Sequence, residues 1–432
     1  MWEKLLRPLT QYKGLPRPVY VFFFSRLVTA LGMLVWPMMT LLLTVRLGLS
    51  SAAAGLVITG ASLGAGLCSL LGGRLADRFS RKWTMILFQG LAAAVFLVCA
   101  VLTPMYSGDA PSGPPWLLVG LLVVAFLVGS LGGPAGEALM MDITAPKNRK
   151  TAYSLSYLGF NLGFAVGASL GGFLFKDHLF WLFAGDAVTT FLSLALIAAF
   201  IPDARKKAEA EAEAEGEGRE MEQAVKGSLW SVLKARPILP FFAVALAVYQ
   251  FCYSQWSFLL PYQMGALFGV DGARYQGLLA SFNGIVVIAL TPFLVHWMKN
   301  MRPLNAIALG GSIFVASYVL FGASRLFPLF LGAMFLFTAG EVTVTVLQPV
   351  FVANQTPASH RGRISATLSL IAGLGWSLGP ATTGRIAQAT NASFTWYVVA
   401  GVMAVAVCGM LLLKRLEKPP EKAPEAAGGA EG

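Results

Sequence analysis

The chain has 432 residues, 56% of them hydrophobic and only 12% charged, with a mean hydropathy of +0.68. Soluble domains carry about twice that share of charge, so the composition excludes an ordinary soluble protein and points to a membrane protein. The formal net charge of +11 does not require a nucleic-acid partner, because the cations are distributed as an orientation signal.

Twelve apolar stretches follow one another at 19–44, 52–73, 83–103, 116–141, 151–175, 179–201, 237–263, 274–298, 304–323, 327–353, 364–388 and 395–413. Each is long enough to cross a hydrocarbon core of about 30 Å as a helix rising about 1.5 Å per residue. The N-terminus, basic and then apolar, mimics a signal peptide. Its apolar run is too long and has no small-residue cleavage site, so it reads as span 1. Most of the 32 Lys and Arg fall before span 1 and after the even-numbered spans. The other connections hold Arg46, Lys176, Arg274 and Arg325, and Arg26 and Arg385 lie within spans. The positive-inside rule then places both termini in the cytoplasm.

Taken along the chain, the charges within spans are few, and each needs a physical reason at a cost of about 3 kcal/mol at a helix centre. Arg26 in span 1 and Glu137 in span 4 sit at similar depth, roughly 7–10 Å from the basic ends of their helices by helical rise, so an ion pair would offset the desolvation of both. Such a pair is either a gate that opens and closes or a static strut. Between spans 2 and 3 the chain reads GGRLADRFSRK, four cations around the single Asp77. Asp142 closes span 4. Span 5 carries Gly163, Gly167 and Gly171 at four-residue spacing, a side-chain-free stripe where a neighbouring helix can approach closely. Asp186 in span 6, beside Thr189 and Thr190, reads as a hydrogen-bonded structural group.

An Ala/Glu-rich polar segment after span 6 cannot build a core and reads as a linker. It divides the chain into a cytoplasmic N-terminus (1–18), a first six-helix bundle (19–201), the linker (202–236), a second bundle (237–413) and a cytoplasmic tail (414–432). Span 7 contains YQFCYSQWSFLLPYQ, in which Tyr249, Tyr253 and Trp256 recur at helical spacing with Gln250 and Gln255 beside them. Aromatics mixed with amides suit a pocket for flat amphipathic or cationic molecules, while an aromatic belt facing lipid is the alternative for Trp256. Asn283 in span 8 and Gln348 in span 10 are further cavity candidates. Glu341 lies near the middle of span 10. It is either a group that exchanges protons as water and substrate come and go, or a carboxyl hydrogen-bonded into the helix packing. Span 11 repeats the glycine stripe at Gly375 and Gly379, followed by Pro380.

The halves are related. Thr144–Gly172 aligns without gaps on Thr356–Gly384 at an offset of 212 residues, bringing Gly163 onto Gly375 and Gly167 onto Gly379. Parallel repeats of this kind are a transporter architecture, with the site between the halves and access alternating as they rock. Duplication in a channel or scaffold is the alternative. The cysteines (Cys68, Cys99, Cys252, Cys408) share no metal or disulfide spacing and read as packing residues.

These features resemble the major facilitator superfamily across nearly the whole chain. Its loop between spans 2 and 3 follows G-x-L-A-D-R-x-G-R-K, matched here at Gly73, Leu75, Ala76, Asp77, Arg78, Arg81 and Lys82, with Ser80 in place of the second Gly. The glycine run of span 5 is similar to the antiporter motif of drug exporters, with Ala168 in place of its Pro. The resemblance implies an all-α polytopic membrane protein: twelve transmembrane helices in two six-helix bundles related by a pseudo-two-fold axis. It implies that spans 1, 4, 7 and 10 line a central cavity, which would place Glu341, Arg26 and Glu137 there. It further implies that Asp77 faces the positive N-terminal end of span 11 and pairs with Arg81, which reaches Asp142. These three would form a cytoplasmic gate that bridges the halves only when the protein faces outward.

Sugar-porter and peptide-symporter signatures are not matched, and the chain is most similar to bacterial proton-coupled multidrug exporters. The expected function is proton-coupled antiport of small hydrophobic or cationic compounds in the bacterial inner membrane. A flippase or exporter of lipid-like molecules or metabolites, with Arg26 holding an anionic head group, is the alternative within the fold. A non-transporting receptor or scaffold is the alternative outside it. His178, His296 and His360 are far apart, and no hydrolase, zinc-protease or P-loop motif occurs, so no enzyme activity, cofactor or metal is expected. The expected partners are a small-molecule substrate and the lipid bilayer, with no nucleic acid, and the chain is expected to act as a monomer.

Overall fold

The computed structural model describes residues 12–106, 113–144, 146–203, 238–356 and 361–415. Among them the chain is almost entirely helical, with no strand. The expected linker at 202–236 and tail at 414–432 lie almost wholly outside the described residues, as does most of the segment 1–18.

In the first half the main helices are α1 (Arg17–Leu31), α2 (Ser51–Arg78), α3 (Arg81–Leu102), α4 (Pro115–Asp142), α5 (Pro146–Asp177) and α6 (Leu179–Phe200). In the second they are α7 (Ile238–Tyr253), α8 (Leu259–Phe268), α9 (Gly272–Met298), α10 (Pro303–Ala323), α11 (Phe327–Gln355), α12 (Arg361–Ala389) and α13 (Ala392–Leu412). All twelve apolar stretches are thus mainly helical. Ten segments are long and apolar enough to cross a membrane, one of them the 61-residue run Ile238–Met298 that contains α7, α8 and α9. The protein is a multi-pass membrane protein. These ten segments among the described residues do not fix the number of crossings, since the 61-residue run holds three helices and α12 is not among them.

Helix starts follow local chemistry. Ser50 and Asn391 accept a hydrogen bond from the Ala53 and Phe394 N–H groups at the starts of α2 and α13, and prolines open α4, α10 and α11, where a missing N–H costs nothing. Spans 1 and 7 are interrupted in corresponding places. After α1 the chain leaves helical bonding at Gly32–Val35 and resumes as a 3-10 turn at Trp36–Met38. After α7 a 3-10 turn at Ser254–Trp256 precedes α8.

Within the first half, α3 packs on α4 and α6, α2 on α4, and α1 on α5 and α6. Within the second, α10 packs on α11 and α13, α7 on α12 and α13, and α9 on α11. The glycine stripes serve these contacts. A Cβ at Gly163, Gly167 or Gly171 would run into the backbone of Leu27–Leu34, and one at Gly375 into the Ala247 carbonyl of α7. Span 5 therefore seats on span 1 as span 11 seats on span 7, and the sequence repeat is also a packing repeat.

The halves meet along two helix pairs, α5 with α9 and α2 with α12. A Cβ at Gly172 would strike Ala273 and Arg274, and one at Gly384 would strike Ser51. The Ser51 hydroxyl donates to the Gly384 carbonyl at 2.9 Å, and the Ala381 N–H, just past Pro380, donates to the Thr59 hydroxyl at 3.0 Å. These contacts lie at the face where α2 begins. Toward the other face, where α2 ends in its cations, the same helix sides separate: Gly66, Leu70, Leu370 and Gly373 are exposed. The halves are closed at one face and splayed at the basic one.

Candidate functional site

Two clefts bring together several of the charged and aromatic residues of the interior. The first lies in the second half, between α7 and α11. Tyr249, Gln250, Tyr253, Glu341 and Gln348 line it together with Phe314, so five of the residues expected in a cavity share one wall. Glu341 is half-buried near the middle of α11. One carboxylate oxygen accepts from the Tyr253 hydroxyl at 2.6 Å and the other from the Asn283 amide at 2.8 Å. The same amide donates to the Thr338 hydroxyl at 2.9 Å, and Thr338 donates to the Met334 carbonyl. The Tyr253 ring stacks on Phe337 with centroids 5.5 Å apart. Helices from spans 7, 8 and 10 therefore converge on one carboxyl group, which two donors hold in a fixed orientation. Each donor would bond an ionised or a protonated carboxyl at its free lone pairs, so the arrangement tolerates both states.

Trp256 stands apart from this cleft. It ends the 3-10 turn that interrupts span 7 and packs edge-on against Phe164 of α5, across the interface between the halves. Its indole nitrogen is buried with no hydrogen bond among the described residues. Gln255, noted beside it, is fully buried and accepts from the Thr383 hydroxyl at 2.7 Å.

The second cleft is a cavity of about 340 Å³ between α1, α3, α4 and α6. Arg26 stands at its rim and donates to Glu137 at 2.7 Å; the two side chains are 36% and 54% exposed. The pair anticipated from equal depth is present, at the exposed edge of the cavity. The walls are aromatic and sulfur-rich: Trp36 stacks on Phe126 with centroids 4.9 Å apart, and Phe96, Met33 and Met39 complete them. Asp186 also reaches this cavity. It is buried, and its carboxylate accepts from the Val35 N–H at 3.3 Å. It thus satisfies a backbone donor freed where span 1 leaves its helix. A Cβ at Gly32 would collide with Thr189, so the break packs directly on α6.

The sequence did not single out this cavity. Trp36, Phe126, Gln89 and Thr190 carry no motif, and only WP at Trp36–Pro37, following Gly32, signals that span 1 is interrupted.

At the basic face, Arg81 bonds Asp142. Asp77 is exposed and makes no hydrogen bond or ion pair among the described residues. The departure at Ser80 has a local reason. Its φ is −62°, so no left-handed residue is needed; it caps α3, accepting from Trp83 N–H, and donates to Asp203 at 2.8 Å. Lys82 is buried and donates to the Ala198 and Ile201 carbonyls at 2.7 Å each, capping the negative end of α6. Gly73 has only the Pro134 side chain near its open side. At the closed face, Lys176 of α5 pairs with Asp271 at 3.0 Å across the two halves. Among the described residues no cluster of His, Cys, Asp and Glu is placed to hold a metal.

The profile of the Major Facilitator Superfamily matches residues 21–380 and 273–431. A Na(+), Li(+), K(+)/H(+) antiporter of Planococcus maritimus is 26% identical over 363 residues, spanning 78% of this chain and 81% of that protein. The class C tetracycline resistance protein of Escherichia coli is 26% identical over 346 residues, spanning 79% of this chain and 81% of that protein. Among solved structures, an auto-inhibited POT family peptide transporter superposes with a TM-score of 0.70 at 19% identity, over 95% of this chain and 99% of that one.

Proposed function

The chain belongs to the Major Facilitator Superfamily, and from that premise we propose that it is a proton-coupled antiporter that exports small hydrophobic or cationic compounds by alternating access. The observation that carries the reading is Glu341: a lone carboxyl group at mid-helix, held by Tyr253 and Asn283 at the wall of a cleft, with no cation paired to it among the described residues. A bare charge there costs about 3 kcal/mol, and a proton removes the cost. Antiport follows if the proton is carried in one orientation of the halves and released in the other. Relatives named as a cation/proton antiporter and a tetracycline resistance protein agree with that class.

The basic face is cytoplasmic in this reading, with both termini inside a bacterial inner membrane. The splayed arrangement is then inward-facing. Asp77 is free to water because its partner, the N-terminal end of α12, has swung away; Arg81 and Asp142 stay paired within the first half. Closing the inner side brings Asp77 to that helix end, and the outer contacts open.

Inverted vesicles energised with a proton gradient test the reading. Wild type moves a cationic dye with the gradient, and Glu341→Gln loses nearly all of that movement. Dye movement undiminished in the variant removes the coupling role of Glu341. Movement of a lipid analogue but of no dye selects a flippase, for which Arg26, whose buried Nε lacks a hydrogen bond among the described residues, would hold the head group.

A further inference from the structure

Among the described residues, Asp186 is a buried carboxyl group that the coupling mechanism leaves unused. It is 8% exposed and lies on the wall of the large first-half cavity, not in the Glu341 cleft. Its partners among the described residues are the backbone N–H groups of Val35 and Leu34, neutral donors that do not cancel a charge. The other charged group on the cavity wall is Arg26, and Arg26 is already neutralised by Glu137. The lining residues of α3 and α4 are uncharged, and α5, which also packs on α6, contributes none. An Asp in such a place needs a proton or a cation from outside the protein.

The rest of the wall says which cation fits. The stacked Trp36–Phe126 pair and Phe96 present aromatic faces, which attract cations and stack on flat rings. Met33 and Met39 are deformable, and Gln89 and Thr190 supply the few polar contacts that orient a ligand. The cavity's enclosed volume of about 340 Å³ lies at the small end of the range of roughly 300–1,000 Å³ for small-molecule pockets, so a compact guest fits. A hydrated metal ion would gain nothing from those aromatic walls.

We propose that this cavity binds a flat aromatic monocation whose positive group sits at Asp186, displacing the proton carried there. The proposal rests on the transporter reading but not on Glu341. It adds a second point of proton–substrate exchange, in the first half, and names the substrate class as cationic. The balance is simple: the cation arrives, one proton leaves the Asp186 carboxyl for bulk water, and no bond in the ligand changes. Binding therefore strengthens as pH rises, because fewer protons compete.

Asp186→Asn is the discriminating variant, since an amide oxygen still accepts from the Val35 N–H while the charge is gone. With the full chain in nanodiscs, ethidium and an uncharged aromatic dye of similar size are titrated at pH 5.5 to 8.5. Wild type binds ethidium more tightly at high pH. Asp186→Asn binds it at least tenfold more weakly and without pH dependence, yet binds the neutral dye as wild type does. Asp186→Glu restores both affinity and pH dependence. Unchanged ethidium binding in Asp186→Asn overturns the proposal, and so does equal loss of both dyes, which would make Asp186 a positioning residue only. If the variant does not fold, proton release on adding ethidium to wild type in weak buffer decides: release supports the site and no release overturns it. Glu341→Gln separates the two ideas. It should keep binding and proton release while losing transport; if it abolishes release instead, the proposal fails and Glu341 alone exchanges the proton.

Discussion

The two halves share a frame and differ in what they hold. Span 5 lies on span 1 through Gly163, Gly167 and Gly171, and span 11 lies on span 7 through Gly375 and Gly379. Gly172 and Gly384 then make matching contacts across to the opposite half. Yet the first half opens a cavity with aromatic walls and an ion pair at its rim, while the second closes around a carboxylate tied to Tyr253 and Asn283. Duplication preserves what rocking needs, which is close backbone approach on both sides of the axis. Chemistry is free to diverge inside each half, because side chains facing the interior do not touch the axis contacts.

The frame should break equally in either half. Gly167→Leu and Gly375→Leu each drive a side chain into the backbone of the facing helix, at a cost of about 3 kcal/mol or more. Both should lose most of the folded protein recovered from membranes, measured by size-exclusion profile. Gly401→Leu, where a side chain meets open space, should not. Normal recovery of either stripe variant would show that its close approach is dispensable.

The chemistry should break unequally. Tyr253→Phe removes one of the two bonds to Glu341 and leaves a carboxylate oxygen unsatisfied, at about 1–3 kcal/mol. Gradient-driven transport should fall about tenfold while recovery stays normal. Transport at the wild-type rate would mean that Glu341 needs no fixed orientation.

Smaller effects belong to the gates between the halves. Asp77→Asn removes a charge that favours contact with the N-terminal end of α12, worth about 0.3–1 kcal/mol. It should raise the accessibility of a cysteine placed at Leu70 about two- to fivefold, and unchanged labelling would count against the latch. Smallest is Lys176→Gln, which removes an exposed pair bridging the closed face. Exposed pairs contribute little, so labelling of the Leu70→Cys probe should fall by less than about twofold, in the direction opposite to Asp77→Asn. A large change would mark this pair as the main outer lock.

Much of the frame was legible because bilayer crossing and duplication leave one-dimensional traces: long apolar runs, alternating cation-rich loops and glycines at a fixed offset. The Arg26–Glu137 pair was legible for the same reason, since depth follows from counting residues. The breaks in spans 1 and 7 were not. Gly32 and Pro37 hint at the first, but what stabilises it is Asp186, more than 150 residues away in sequence, and only the fold brings them together. Tyr253, Asn283 and Glu341 each stood out as polar groups in apolar helices, whereas their bonding to one another depends on helix rotation. Of the large cavity only its charged groups, Arg26 and Asp186, stood out, because Trp36 and Phe126 look like any lipid-facing aromatics until their helices are packed.

The central claim is that Glu341 carries the proton exchanged for substrate. Proteoliposomes with a pH-sensitive dye sealed inside, given a gradient of a cationic substrate and no pH gradient, test it most directly. Wild type should move protons against the substrate flow, and Glu341→Gln should lose both the net substrate flow and the proton countermovement. Proton countermovement at the wild-type rate in Glu341→Gln would contradict the account.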